Sequence, residues 1–172
     1  MATAHDRPRR VEGETVVQGP DLTAFANLCT RLGQVVHPGD VVSLLEDAAR
    51  ILGAVGLVTW SWESRANVLK ASFAYGYSDA VLGQLPSVRK DEDNAIASAF
   101  RLAKACIVDH GDRATGAVVV PLLAPNGCVG VLALELADGA EQREHMRALA
   151  TILAAQLSTL VESVPLAEAV NA

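Results

Sequence analysis

GAVVVPLLAPNGCVGVLALEL, Gly116 to Leu136, reads as two β-strands and the turn between them. The strands are predicted over Ala117–Leu123 and Cys128–Leu136. Ala124-Pro125-Asn126-Gly127 joins them, with Pro supplying a fixed φ and Asn-Gly the positive φ of a tight reversal. In the first strand Ala117, Val119 and Leu123 fall on one face, and Val118, Val120 and Leu122 on the other. Both parities are therefore apolar. Such a strand must be covered from both sides, which places the hairpin mid-sheet with helices outside it. Pro121 has no N–H to give a ladder and predicts a bulge or an unpaired position.

The rest of the chain bounds the class of protein. Its 172 residues suit one domain with a sizeable core. At 51 % hydrophobic and 20 % charged, the composition is that of a soluble globular protein. The net charge is −6, and the only basic run is the short Arg7-Pro8-Arg9-Arg10, which argues against nucleic acid as a partner. The longest apolar run, Ala117–Ala124, is far below the roughly 20 residues of a membrane helix, so no membrane partner is expected. Cys29, Cys106 and Cys128 are odd in number and lack metal-ligand spacing. Together with an N-terminus without a signal-type apolar segment, they point to a reduced, cytoplasmic setting.

Working outward, residues 1–20 carry no sustained apolar period and are expected to form a tail, with a shorter one over 165–172. Asp21 caps a predicted helix whose stripe is Leu22, Phe25, Leu28 (or Cys29) and Leu32. Pro38-Gly39-Asp40 breaks the chain before a second helix, with Val41, Leu44, Leu45, Ala48, Ile51 and Leu52 as its stripe and Gly53 at its end. Val55–Trp62 and Val68–Tyr75 read as a hairpin around Glu63–Asn67. A short helix is expected over Ser78–Leu85. Asp91-Glu92-Asp93 then opens a helix carrying Ile96, Phe100 and Ala103, where the acids complement the helix dipole. Ala105–Asp109 is a short strand. Asp138, with Glu141 in a capping box, is expected to start a last helix that runs to about Val164. This order lacks the strict β-α-β alternation of a parallel sheet. The predicted fold is α+β, a central antiparallel sheet with helices on both faces.

Three stretches resemble the GAF domain, a small-molecule sensing module of signalling proteins. Leu69–Tyr77 is similar to its strand ending in glycine, and Ala95–Asp109 to its helix and acid-terminated strand. Val119-Val120-Pro121-Leu122, with Gly127 and Gly130–Leu134, is similar to its closing hairpin. The resemblance spans residues 21–163, within a domain taken as 21–164. It implies about six antiparallel strands, with the first and last helices on one face and residues 78–115 roofing a pocket on the other. The chain departs from the family where glycines and a Gly/Lys-Pro pair are usual, carrying Ala97, Ala99, Lys104 and Ala105 instead.

Trp60, Trp62, Phe73 and Tyr75 are the candidate ligand-binding aromatics, with Phe100 on the roof helix. They could stack on a planar ligand, or simply fill the core beneath the roof. Asn94, Ser98, Asp109 and His110 are the candidate polar groups, and His110 beside Asp109 could orient a ligand or be a solvated loop pair. With three carboxylates at the roof-helix start and only Lys70 as a strand cation, phosphorylated ligands are disfavoured. No bilin-attachment cysteine is evident, and haem is a poor fit with His110 as the sole candidate axial ligand. Free methionine sulfoxide reductases resemble this size and fold but need a cysteine pair at the roof. Cys106 and Cys128 read instead as structural thiols. The leading expectation is a non-enzymatic sensor of a small, non-phosphorylated molecule. It would form a homodimer through the first and last helices, where Ile152, Ala155 and Thr159 lie off the main seam, and act on a signalling partner. The alternative is a ligandless dimerisation or partner-interaction module.

Overall fold

A computed structural model describes residues 19–37, 39–109, 111 and 114–163. Residues 1–18 of the expected N-terminal tail, and all of the C-terminal one, lie outside the described residues. In chain order the elements are α1 (Leu22–Leu32), α2 (Gly39–Leu52), β1 (Ala54–Glu63), β2 (Val68–Tyr75), α3 (Asp79–Leu82), β3 (Val88–Arg89), α4 (Ala95–Leu102), β4 (Cys106–Val108), β5 (Thr115–Ala124), β6 (Gly127–Ala137) and α5 (Glu144–Ser163). The strands make one six-stranded sheet ordered β3-β2-β1-β6-β5-β4, with every neighbouring pair antiparallel. The fold is α+β, with helices against both faces of the sheet.

The two apolar parities of β5 explain this layering. Val118, Val120 and Leu122 are buried in a core shared with α1, α2 and α5, whose anchors include Leu28, Leu45 and Leu153. Val119 faces the other way, into a core with Ala97 and Ala99 of α4. Two-sided burial thus follows directly from a strand that offers water neither face. Pro121 pairs in register with Val131; the irregularity falls one residue later, between Leu122 and Leu123.

Local signals place the helices. The Asp21 carboxylate accepts from the Thr23 and Ala24 N–H groups at 2.9 and 3.0 Å, so α1 begins where a capping acid predicts. Leu22, expected on the stripe, is instead 64 % exposed. Asp47 joins α2 to α1: it accepts from Arg31 at 2.8 Å and from Arg50 at 2.7 Å. The Arg31 hydrogen bond foremost holds its carboxyl below the usual range.

The structure adds one strand and differs from two expectations. The strand β3 has two residues, too short to leave a periodic signal. Asp138 does not cap the last helix, because its φ of +56° is left-handed and a capping residue is extended. A 3-10 turn over Ala140–Gln142 intervenes, and α5 starts at Glu144. Glu141, expected in a capping box, is fully buried against Gly116, where an added Cβ would stand 2.3 Å from its carboxyl carbon.

Candidate functional site

The α4 side of the sheet is built from β1 outward. Trp60 is buried there among Val58, Leu69 and Val131, and Trp62 packs at its margin. Phe100 of α4 stacks on Trp62, with ring centroids 4.6 Å apart and planes tilted by 31°. These three aromatics share one side of the sheet. Phe73 and Tyr75 do not, and pack against the α1/α2/α5 core instead.

A single extra residue separates the two pairs. Leu69 and Ala71 of β2 face α4. Unbroken alternation would carry Phe73 and Tyr75 to that same side. The register instead runs Trp60↔Ala71 and Thr59↔Phe73, which leaves Ser72 as a bulge. Its hydroxyl lies 3.0 Å from the Thr59 hydroxyl, receives a bond from Ser61 at 3.0 Å, and donates to the Thr59 carbonyl at 3.2 Å. Past the bulge the parity reverses, and the later aromatics turn to the helical layer.

Trp60 carries the polar feature of this side. It is only 6 % exposed, and its indole Nε1–H has no hydrogen-bond partner among the described residues. Leaving such a donor unmatched costs about 1–3 kcal/mol, so it calls for an acceptor. Much of the surrounding face is small and apolar, with Ala71, Ala74, Ala97, Ala99, Ala117 and Ala133 on the sheet and α4.

The expected polar candidates have other occupations. Asn94 is the N-cap of α4: its carbonyl oxygen accepts from the Ala97 N–H and its amide donates to Glu92, both at 2.9 Å. The Ser98 hydroxyl lies 3.4 Å from a guanidinium nitrogen of Arg101. Asp109 is exposed and receives the Gly111 N–H at 3.3 Å. His110 lies outside the described residues. The acidic run precedes the cap rather than opening the helix. Asp91 binds Arg89 through both oxygens at 3.0 and 3.1 Å, and Glu92 takes the Arg89 backbone N–H at 2.9 Å.

Tyr77, at the end of the Leu69–Tyr77 stretch but not among the candidates, also belongs here. It lies over Gly56, where a Cβ would stand 2.6 Å from its hydroxyl, and hydrogen-bonds to Glu135. Burial, and then the Glu135 carboxylate, push the phenol far above its usual range, so it stays protonated. Only glycine at 56 admits the ring, a signal that becomes readable once the β1–β6 register is known.

Lys70, counted as the strand cation, is paired with Glu63 at 2.5 Å. The cations beside the roof are instead Lys90 and Arg101. With Asp91, Phe100 and Cys128 they line a groove of about 480 Å³. Arg101 donates to the Lys90 carbonyl at 2.6 Å and to the Glu92 carbonyl at 3.4 Å, clasping α4 to the turn before it. The helix ends at Ala103, which is left-handed at φ +51° and ψ +37°. An L-residue there costs about 1 kcal/mol that glycine avoids. Ala103→Gly should therefore raise stability by about 0.5–1 kcal/mol in urea unfolding, and a lowered midpoint would contradict this.

Cys106 and Cys128 flank β5, opposite Val119 and Leu123 respectively. Four residues of strand separate those partners by about 13 Å, too far for the two thiols to bridge. Cys128 donates to the Gly130 carbonyl at 3.2 Å, and burial raises its thiol pKa. Among the described residues no cluster of His, Cys, Asp and Glu could hold a metal ion, and no helix is long and apolar enough to cross a membrane.

No family model matches this sequence, and no curated protein is similar to it. Solved structures do share its architecture. The GAF domain of an Acinetobacter phosphoenolpyruvate-protein phosphotransferase superposes with a TM-score of 0.72 at 13 % identity, covering 83 % of this chain and 92 % of that one. The corresponding GAF domain from Coxiella burnetii gives the same four values. A free methionine-R-sulfoxide reductase from Neisseria meningitidis, solved with its substrate, matches at TM-score 0.62 and 15 % identity, over 82 % of this chain and 90 % of that one.

Proposed function

We propose that this chain, which has the GAF fold, is a non-enzymatic sensory domain. It binds a small, non-phosphorylated molecule between the sheet and α4 and passes occupancy to a partner through α1 and α5. One observation carries the reading: the buried, unmatched indole N–H of Trp60, on the face that α4 covers. A ligand with a hydrogen-bond acceptor and an apolar body would satisfy that donor and replace alanine contacts with its own. The separation of Cys106 from Cys128 supports binding over thiol chemistry of the reductase kind.

A thermal-shift screen of metabolites, bilins and haem tests this. A ligand at a hundred times its dissociation constant adds about 2.7 kcal/mol, a rise of several degrees for a domain of this size. Trp60→Phe removes the donor and keeps most of the ring volume. It should leave the unliganded protein as stable or up to about 1–2 kcal/mol more so, while the ligand's shift falls by more than half. A flat screen, with Trp60→Ala costing only the about 3–5 kcal/mol of a core truncation, would overturn the sensor reading.

The second reading, a ligandless interaction module, is favoured by α5. Ile152 is 47 % exposed, with Ala155 and Thr159 also at the surface, an apolar strip that a second copy or a partner helix could cover.

A further inference from the structure

We propose that the groove between α4, the turn before it and the start of β6 binds a small organic monoanion, a carboxylate bearing an aromatic or branched apolar group. This site is separate from the one under α4 and does not rest on it. Its lining holds two cations, Lys90 and Arg101, against one carboxylate, Asp91. That carboxylate is already engaged by both of its oxygens with Arg89, which does not line the groove. Neither Lys90 nor Arg101 makes a close ion pair with a carboxylate among the described residues, although Lys90 lies near enough to Asp91 to feel its charge.

Arg101 is held in place without being neutralised. Two backbone carbonyls and the Ser98 hydroxyl fix its guanidinium, and these neutral partners leave the positive charge uncompensated. A fixed cation loses little freedom on meeting an anion. Among the described residues the Lys90 side chain makes no hydrogen bond or close ion pair, only a longer-range attraction to Asp91, and it can close over a ligand from the turn. On a chain of net charge −6, this is a local positive spot.

The rest of the lining sets the apolar part. Phe100 is supported from behind by Trp62 and so presents a rigid wall. Cys128, held neutral, adds a soft apolar surface rather than a repelling thiolate. About 480 Å³ suits a molecule of benzoate or phenylacetate size. Asp91 remains within the groove and disfavours a dianion such as phosphate.

The chain has two tryptophans, so Trp60→Phe leaves Trp62, stacked on Phe100, as the sole indole reporter. Titration with benzoate and with phenylacetate should give saturable changes in Trp62 emission. The neutral isostere benzamide should bind about tenfold more weakly, and inorganic phosphate more weakly still. Lys90→Ala removes an exposed side chain, keeps the carbonyl that Arg101 uses, and should weaken benzoate about fivefold; Lys90→Glu should abolish binding. On the parent protein, the amide signals of residues 90–91 and 100–101 should move together, a readout independent of Trp60→Phe. Benzamide binding as well as benzoate, an unchanged affinity in Lys90→Ala, phosphate outcompeting benzoate, or no saturation up to about 50 mM would each overturn the proposal. A negative metabolite screen for the α4-covered site would not.

Discussion

Val119→Asp and Val120→Asp should each abolish cooperative folding, although the two side chains point to opposite faces of the same strand. Val119 is 2 % exposed beneath α4, and Val120 is 3 % exposed beneath the α1/α2/α5 layer. An ionised carboxylate with no partner in either place costs several kcal/mol, and protonation spares only part of that. Domains hold only about 5–15 kcal/mol in total. The loss should appear as collapsed amide-signal dispersion and no sharp thermal transition. Leu123→Asp is the control: at 49 % exposed it should change stability by no more than about 0.5 kcal/mol. If either valine variant kept a transition near the parent's, that face of the hairpin would be open to water. On the Val119 face, the cover by α4 on which the sensor reading depends would go with it.

Gly76→Ala is the other change expected to be severe, for reasons of backbone rather than burial. Gly76 follows β2 at φ +83°, where an L-residue pays about 1 kcal/mol. A Cβ there would also lie 2.2 Å from the Val55 carbonyl oxygen and 3.1 Å from the Gly56 Cα. These are backbone atoms of β1, so relief requires the strand itself to shift, at about 1–3 kcal/mol more. A combined loss of about 2–4 kcal/mol lowers the melting midpoint by roughly 5–15 °C. The displaced stretch carries Gly56, on which Tyr77 rests, so the Tyr77–Glu135 contact should be lost as well. Gly39→Ala, with nothing near its would-be Cβ and no positive φ, should be neutral or slightly stabilising. Equal midpoints for the two variants would refute the account.

Both experiments bear on the site proposed beneath α4. α4 is eight residues long, capped by Asn94, clasped by Arg101 and ended by a strained alanine. In the proposed sensor, a roof tethered at a few points above alanines is one that a guest would lift. An indole donor buried beneath it has a reason to welcome an acceptor. The groove proposed outside α4 would add a second chemistry, in which the cation and aromatic wall of α4 meet Cys128 from the start of β6.

The sequence alone was enough for the fold class and for most elements, because each signal behind them is local; the two-residue β3 left none. Apolar residues on both parities of 117–123 require cover on two sides whatever else the chain does. Asp21 caps α1, and Gly53 ends α2 at φ +62°, because the requirements of a helix end act over a few residues. Tertiary structure decided the site. Which face Phe73 and Tyr75 occupy turned on one unpaired serine, and a bulge exists only relative to the strand it faces. Asn94, a candidate polar group, is instead the cap of its own helix, and Lys70, the strand cation, pairs with Glu63 across the β1–β2 turn. Lys90 and Arg101 matter for the converse reason: folding brought their charges to one groove and, among the described residues, closed neither into an ion pair. Periodicity records what a residue must avoid, which is water or its absence, whereas binding depends on which groups are left unmatched after every other contact has formed.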